Sequence, residues 1–419
     1  MGFASGYLDK RALFPGLISE VPDERTGIII VVPAYDEPGI SGLLDSLAHC
    51  DEPECAVEVL VIINAPQDAP RLSIENNRLT IKNIESWKMQ NKDCFFRLFY
   101  IAADTVVRGW GVGMARKTGM DEAARRFNIT GNPGGVILNI DADCTVDPSY
   151  LKAVYEDLYL RKDRSACSIY FEHPLSGIVL QQSFYSYITL YELHLRYYYQ
   201  ALAFAGFPFV FHTVGSAMAV KALAYVRAGG MNRRQAGEDF YFIQKLVPAG
   251  GFFYLNTTTV FPSPRASNRV PFGTGASMAR MNAGEEDQYY SYNLQAFRDL
   301  RIMFGLLDII YDTDVSRLSS VYQRLPESIK MFTVIDEWTN KLAEIKNNTS
   351  ALPSFKKRFF GWFNMFRVVK YLNFVHISCF DKMDVTISAR DLLNETGESE
   401  CLNNATDLLW FYRRMEKGC

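Results

Sequence analysis

Two acidic motifs carry the residues best suited to chemistry. Asp141-Ala142-Asp143 follows the apolar run Gly135-Val136-Ile137-Leu138-Asn139-Ile140, and Gly237-Glu238-Asp239-Phe240 comes shortly after Gly229-Gly230-Met231. Carboxylates at the end of a buried strand open into the crevice where α/β sheets bind ligands. Two of them with one residue between can share a hard divalent cation, which takes oxygen ligands and bridges phosphates. A separate carboxylate elsewhere in the pocket can then remove a proton. The chemistry in view is charge neutralisation on a departing phosphate, coupled to activation of a hydroxyl.

Plainer readings stand beside these. Asp147-Pro148 reads as a helix start, with Asp147 as N-cap and Pro148 as the first helical residue. That accounts for Asp147 but not for Asp141 or Asp143. Glu238 and Asp239 can be carboxylates favoured by a helix dipole, which accounts for one of them. Cys144, next to the first motif, reads as a small packed residue.

The elements that must position these groups alternate through the first 160 residues. The run over 27–32 is β-branched, is ended by Pro33, and reads as a buried parallel strand. A short helix follows over 40–49, a second strand over 57–63, a helix over 74–90 and a third strand over 94–101. Helical spacing covers 113–127, and the fourth strand ends at Asp141. Strands separated by helical patterns argue an α/β fold with a mostly parallel sheet. Further strands are expected at 166–171, 216–220 and 252–261, with helices over 178–204 and 238–247. From about 276 onward the pattern is helical, chiefly over 289–311, 318–345 and 355–371. The domains expected are 1–275, carrying the chemistry, and a mainly helical 276–419.

A chain of 419 residues that is 48% hydrophobic can bury a full core. With 44 basic and 47 acidic residues, its balance gives no reason to expect nucleic acid as a partner. The eight cysteines form no CxxC pair and no metal-ligand spacing, which fits a reducing compartment. The N-terminus lacks the regions of a signal peptide, and no run is apolar for long enough to span a membrane. A cytoplasmic location is expected. The basic and aromatic stretch 355–371 reads either as a core helix with snorkelling cations or as a peripheral contact with the inner face of the cell membrane.

The strand ending Val31-Val32-Pro33-Ala34-Tyr35-Asp36-Glu37 resembles the opening strand of family 2 glycosyltransferases of the GT-A fold. The motifs Gly113-Met114-Ala115-Arg116-Lys117, Asp141-Ala142-Asp143, Gly229-Gly230-Met231 and Gly237-Glu238-Asp239 follow in that family's order. The resemblance covers roughly residues 25–265. It implies a Rossmann-like GT-A sheet and inverting transfer of a sugar from a nucleoside diphosphate sugar to a hydroxyl on a glycan, a lipid-linked acceptor or a small molecule. Mn²⁺ or Mg²⁺ is the implied cofactor. Pro33, Ala34, Tyr35 and Glu37 match the segment that holds base and ribose. Asn64 stands where the family has an Asp that contacts the base, so the identity of the base is open. Asp141 and Asp143 match the ribose and metal motif, and Asp239 matches the catalytic base, with Glu238 beside it. The QxxRW signature of processive synthases is missing, so one sugar per event is expected. A nucleotidyltransferase would carry a Gly-rich turn after the first strand, where this chain has Pro33-Ala34-Tyr35. A nucleotide-sugar-binding protein without turnover is the other alternative.

Basic residues complete the candidate set. Gly113 permits close backbone approach, and Arg116 reads equally as a bidentate diphosphate contact or as a surface residue at a helix start. Lys117 is a weaker candidate for the same role. Arg265 and Arg269 flank a Ser/Asn loop and suit closure over phosphates, or else form a solvated turn. None of the five histidines is placed as a metal ligand. His212 reads as a structural histidine or as a residue lining the acceptor site. Tyr and Phe crowd 184–211, either as an acceptor groove or as core.

Overall fold

A computed structural model describes residues 2–102, 111–177, 182–233, 237–266, 273–282, 289–398, 402 and 404–418. The chain divides into two compact units. One contains 1–185 and 213–282, and the other contains 186–212 and 283–419.

The first unit is built on a mixed, mostly parallel sheet. Its strands are β1 (Thr26–Ala34), β2 (Ala56–Ile63), β3 (Phe96–Ala102), β4 (Val136–Asn139), β5 (Thr145–Val146), β6 (Ala166–Phe171), β7 (Met218–Lys221) and β8 (Phe252–Phe261). Among the described residues the order is β3-β2-β1-β4-β7-β6-β8-β5. β1 pairs in parallel with β2 and with β4, and β2 with β3. β7 is antiparallel to both β4 and β6, while β6 and β8 are parallel. All nine residues of β1 are buried, as a strand covered on both faces requires. This is the α/β class, with a mostly parallel sheet, expected from the alternation.

Helices flank the sheet: α1 (Ser5–Arg11), α2 (Ser41–Ala48), α3 (Arg71–Gln90), α4 (Val112–Ile129), α5 (Tyr150–Val154), α7 (Ala222–Arg227), α8 (Glu238–Leu246) and α9 (Thr274–Asn282), while α6 (Gln182–Phe204) belongs for most of its length to the second unit. α4 lies across β1 and β2 and is buried along most of its length. Two local expectations need correction. Pro33 does not end β1, because the strand runs one residue further and Pro33 pairs with Ile62. The β4 ladder stops at Val31↔Asn139, so the missing N–H of Pro33 leaves no unmet partner there. Asp147 is not the helix N-cap. Its Oδ1 accepts from Ser149 N–H at 2.9 Å and from Ser149 Oγ at 2.7 Å, and α5 begins only at Tyr150.

The second unit is helical: α10 (Leu294–Gly305), α11 (Leu307–Asp312), α12 (Leu318–Tyr322), α13 (Glu327–Phe332), α14 (Ile335–Asn347), α15 (Leu352–Trp362), α16 (Met365–Ser378), α17 (Val385–Thr396) and α18 (Ala405–Lys417). The long helices expected over 289–311, 318–345 and 355–371 are each broken. Asn293 caps α10 and Asn364 caps α16 through their side chains, and Pro326 precedes α13. A two-stranded ribbon, β9 (Tyr290–Ser291) with β10 (Met383–Asp384), was not anticipated.

Aromatic rings fill this unit. Phe304 meets Phe360 edge-on at 5.2 Å and Phe363 at 5.8 Å. In the crowded stretch 184–211, Tyr191, Tyr197 and Phe207 are buried, while Tyr198, Tyr199 and Phe204 are half-buried. Phe355, Phe359, Phe360 and Tyr371 are buried as well, which is the core reading of that basic and aromatic segment. His212 is structural, with Nε2 2.9 Å from Glu416 Oε2 and its ring stacked on Tyr199 at 4.5 Å. Among the described residues no helix is long and apolar enough to cross a membrane.

Candidate active site

The carboxyl ends of β1, β2 and β4 hold the motif residues side by side. Pro33 and Ala34 are the last residues of β1, and Asn64 follows β2, with its N–H donating to Ala34 O at 3.1 Å. Asn64 is nearly buried, and its carbonyl accepts from Asn77 Nδ2 at 2.9 Å.

Between Tyr35 and Glu37 the chain passes through Asp36 at φ 59°, the one non-glycine residue in the left-handed region among those described. Three residues of α3 hold it there. Asp36 N–H donates to Asn77 Oδ1 at 2.9 Å, while Ser73 Oγ and Asn76 Nδ2 donate to its carboxylate at 3.0 and 2.6 Å. A short polar side chain that bonds locally makes this conformation tolerable. The turn carries Glu37 into the site with only 4% of its surface exposed. Asp36 was not singled out from the sequence. An Asp next to Glu-Pro-Gly after a strand was the available signal.

Asp141 and Asp143 lie just beyond β4, with 37% and 23% of their side chains exposed. Arg116, in the second turn of α4, is buried, so its reading as a surface residue fails. Its Nη2 donates to Asp141 Oδ1 at 2.6 Å, and its Nη1 pairs closely with Glu238. A Cβ on Gly215 would stand 2.3 Å from Nη1, so only glycine admits the guanidinium there. Burial alone would lower the Arg116 pKa, but Asp141, Glu238 and Asp239 more than reverse that and hold it charged. Lys117 points elsewhere, to Asp121 at 2.9 Å and Tyr7 at 3.0 Å, where it fastens α1 to α4. Gly113 sits in the first turn of α4, whose first N–H groups lack helical partners.

Gly237, at φ 71°, turns the chain into α8 and places Glu238 and Asp239 in its first turn. Glu238 is buried and committed to Arg116. Asp239 remains partly exposed. Desolvation raises its pKa to about 6, against the pull of Arg116 and with help from Glu238 and Asp141.

Arg265, shortly after β8, reaches back over the site. Its Nη2 pairs closely with Glu37, and its Nε lies 3.1 Å from Asp143 Oδ2. Arg269 lies outside the described residues. The result is two groups of charges: Glu37, Arg265 and Asp143 in one, and Asp141, Arg116 and Glu238, with Asp239 nearby, in the other. Among the described residues no group of three or more His, Cys, Asp or Glu gathers to hold a metal unaided.

No family model matches the chain, and no curated protein matches it. Among solved structures it is similar to S. aureus TarS with UDP-GlcNAc, at 16% identity and TM-score 0.40, over 78% of this chain and 89% of that one. It is also similar to the mannosyltransferase PcManGT of Pyrobaculum calidifontis with GDP-Man and Mn²⁺, at 14% identity and TM-score 0.39, over 99% and 92%. A third is glucosyl-3-phosphoglycerate synthase of Mycobacterium tuberculosis with phosphoglyceric acid, at 13% identity and TM-score 0.36, over 67% and 80%.

Proposed function

We propose that the chain is a metal-dependent glycosyltransferase that moves one sugar from a nucleoside diphosphate sugar to a hydroxyl acceptor with inversion. The observation that carries this reading is the meeting of Asp141 and Asp143, partly exposed just beyond β4, with Glu37 after β1 and the Glu238-Asp239 start of α8. Among the described residues, Arg265 pairs with Glu37 and approaches Asp143, and Arg116 pairs with Asp141 and Glu238 close to Asp239. Asp143 and Asp141 are hard oxygen donors open to solvent, so they fit Mn²⁺ or Mg²⁺ whose remaining ligands come from phosphate and water. The bound metal would neutralise charge on the leaving diphosphate.

The chain's own residues supply the rest. The end of β1, the Tyr35–Glu37 turn and Asn64 form the nucleotide side of the cleft. Asp239 takes the proton of the attacking hydroxyl, and a pKa of about 6 leaves it mostly ionised at neutral pH yet basic enough to act. Arg116 anchors Glu238 at the start of α8 and lends positive charge near Asp239. We assign the donor site to the domain 1–275, with 276–419 as its helical extension. A binding protein without turnover would have no use for a basic, accessible Asp239.

Titrating UDP and GDP against the wild type and Asp143→Ala, with Mn²⁺ and with EDTA, tests the reading. One diphosphate binds the wild type with Mn²⁺, and its affinity falls at least about tenfold with EDTA or without Asp143. Equal affinity in every condition sinks the proposal.

A further inference from the structure

Arg265 holds the place that a cation at Asp143 needs. Its guanidinium lies between two carboxylates from different elements, Glu37 on the turn after β1 and Asp143 beyond β4. The two contacts are unequal. Glu37 is nearly buried and closely paired. Toward Asp143, Nε approaches to 3.1 Å without the alignment of a hydrogen bond, and among the described residues this buried N–H has no hydrogen-bond partner. A buried donor in that state loses solvation without recovering it. The Arg265 guanidinium thus touches two carboxylates, while Arg116 pairs with Asp141 and Glu238.

Resting on the function proposed above, we propose that Arg265 is an exchangeable counter-ion. It occupies the Asp143 side of the metal site in the free protein, yields that carboxylate to the incoming divalent cation, and then turns its donors to the diphosphate. The charge argument runs in one direction. A divalent ion binds carboxylate oxygen directly and carries twice the charge of a guanidinium, so both cannot hold Asp143 at close range without strong repulsion. The guanidinium fork released from Asp143 matches the paired oxygens of a diphosphate, which a point charge does not. Metal and diphosphate therefore bind with positive coupling: the metal frees the arginine, and the arginine needs the anion that the metal brings.

The two roles predict opposite effects of one substitution. Arg265→Gln keeps length and polarity but removes the charge. Calorimetric titration of Mn²⁺ alone into the full chain should give about tenfold tighter binding in Arg265→Gln than in the wild type. UDP or GDP at saturating Mn²⁺ should bind Arg265→Gln about tenfold more weakly. Arg265→Lys, which keeps the charge without the fork, should bind Mn²⁺ as the wild type does and lose affinity only for the diphosphate. If Arg265→Gln binds Mn²⁺ no more tightly than the wild type while its melting temperature is kept, the exchange is wrong. If its fold is lost, Mn²⁺ binding to Arg265→Lys decides, and tighter binding there overturns the idea. Failure of the wild type to bind either diphosphate with Mn²⁺ defeats the glycosyltransferase reading instead. The Mn²⁺ arm is read without nucleotide, so the two failures are distinguishable.

Discussion

The guanidinium of Arg116 lies 2.6 Å from the carboxylate of Asp141, and both belong to a site whose other half comes from a distant part of the chain. The same side chain pairs with Glu238, so one buried residue of α4 ties the Asp-x-Asp motif to the Glu-Asp motif. The relative position of the two acidic motifs thus depends on one buried guanidinium. Removing one partner of a buried pair costs about 3–5 kcal/mol, because the other charge is left uncompensated. Arg116→Met should lose stability on that scale in urea unfolding, and Arg116→Lys should rescue little of it, since an ammonium cannot serve two carboxylates as the planar fork does. Wild-type stability in Arg116→Met would show that the pair is not needed to hold Glu238.

Gly215 supports the same contact by being small. A methyl group there would stand 2.3 Å from Nη1 and displace the guanidinium. Gly215→Ala should cost about 1–3 kcal/mol by overpacking. It should lower kcat more than donor affinity if the displacement reaches Asp239. Full activity with unchanged stability would mean that the site yields freely.

Asp239→Asn keeps size and most hydrogen bonding, including an acceptor for Phe240 N–H, which Asp239 Oδ1 now accepts at 2.7 Å. The amide cannot take a proton. Transfer should fall by about 10²–10⁴-fold while UDP or GDP affinity stays near wild type. Wild-type turnover in this variant would move the base elsewhere.

The raised pKa of Asp239 has a second consequence. Its ordinary value is 3.8 and its folded value about 6, so the folded chain holds this proton more tightly than the unfolded chain. The stability this contributes is fully present below about pH 4 and is lost as pH rises through about 6. Above pH 6 the wild type therefore carries the cost of an ionised, crowded carboxylate. Asp239→Asn should be more stable than the wild type at pH 8 by about 1–3 kcal/mol, and the gain should vanish near pH 4. The acid limb of wild-type transfer should have its midpoint near 6. Equal stability of the two proteins at both pH values would refute the raised pKa.

Much of the sheet could be read from residue types. β1, β2 and β4 are short β-branched or apolar runs, and their burial on both faces leaves no polar alternation to confuse them. Asp141 and Asp143 stood out because nothing in a strand needs them. Arg116 was harder, because a basic residue near a helix start looks solvated. Its burial follows from α4 being covered on nearly every side, which local periodicity does not reveal. The pairing of Arg265 with Glu37 joins residues far apart in the chain, so no spacing rule reports it. Helices α17 and α18 were overlooked, although Asp384 and Asn404 are side-chain caps of the kind that mark helix starts. The breaks in the C-terminal helices were missed because aromatic residues there face a shared interior from many short segments.

The helical unit offers a test of how buried charge is organised away from the site. Arg413, on α18, donates to both oxygens of Glu192 on α6, each at 2.8 Å. Arg196 donates to Glu192 at 2.8 Å and to Glu416 at 2.6 Å. All four are buried, two of each sign, and the set fastens α18 to α6. Arg413→Met leaves Glu192 with one cation too few, and Glu192→Met leaves Arg413 in the reverse position. Each should cost about 3–5 kcal/mol. The double variant removes one charge of each sign and leaves the Arg196–Glu416 pair neutral between its members. Apolar replacement of a buried pair is often close to neutral, so the double variant should be more stable than either single one. Denaturant unfolding of the four proteins closes the cycle. Simple addition of the two losses would show that the carboxylate and guanidinium act independently, and that α18 is held by its apolar face, Leu408, Leu409 and Tyr412, rather than by the charges.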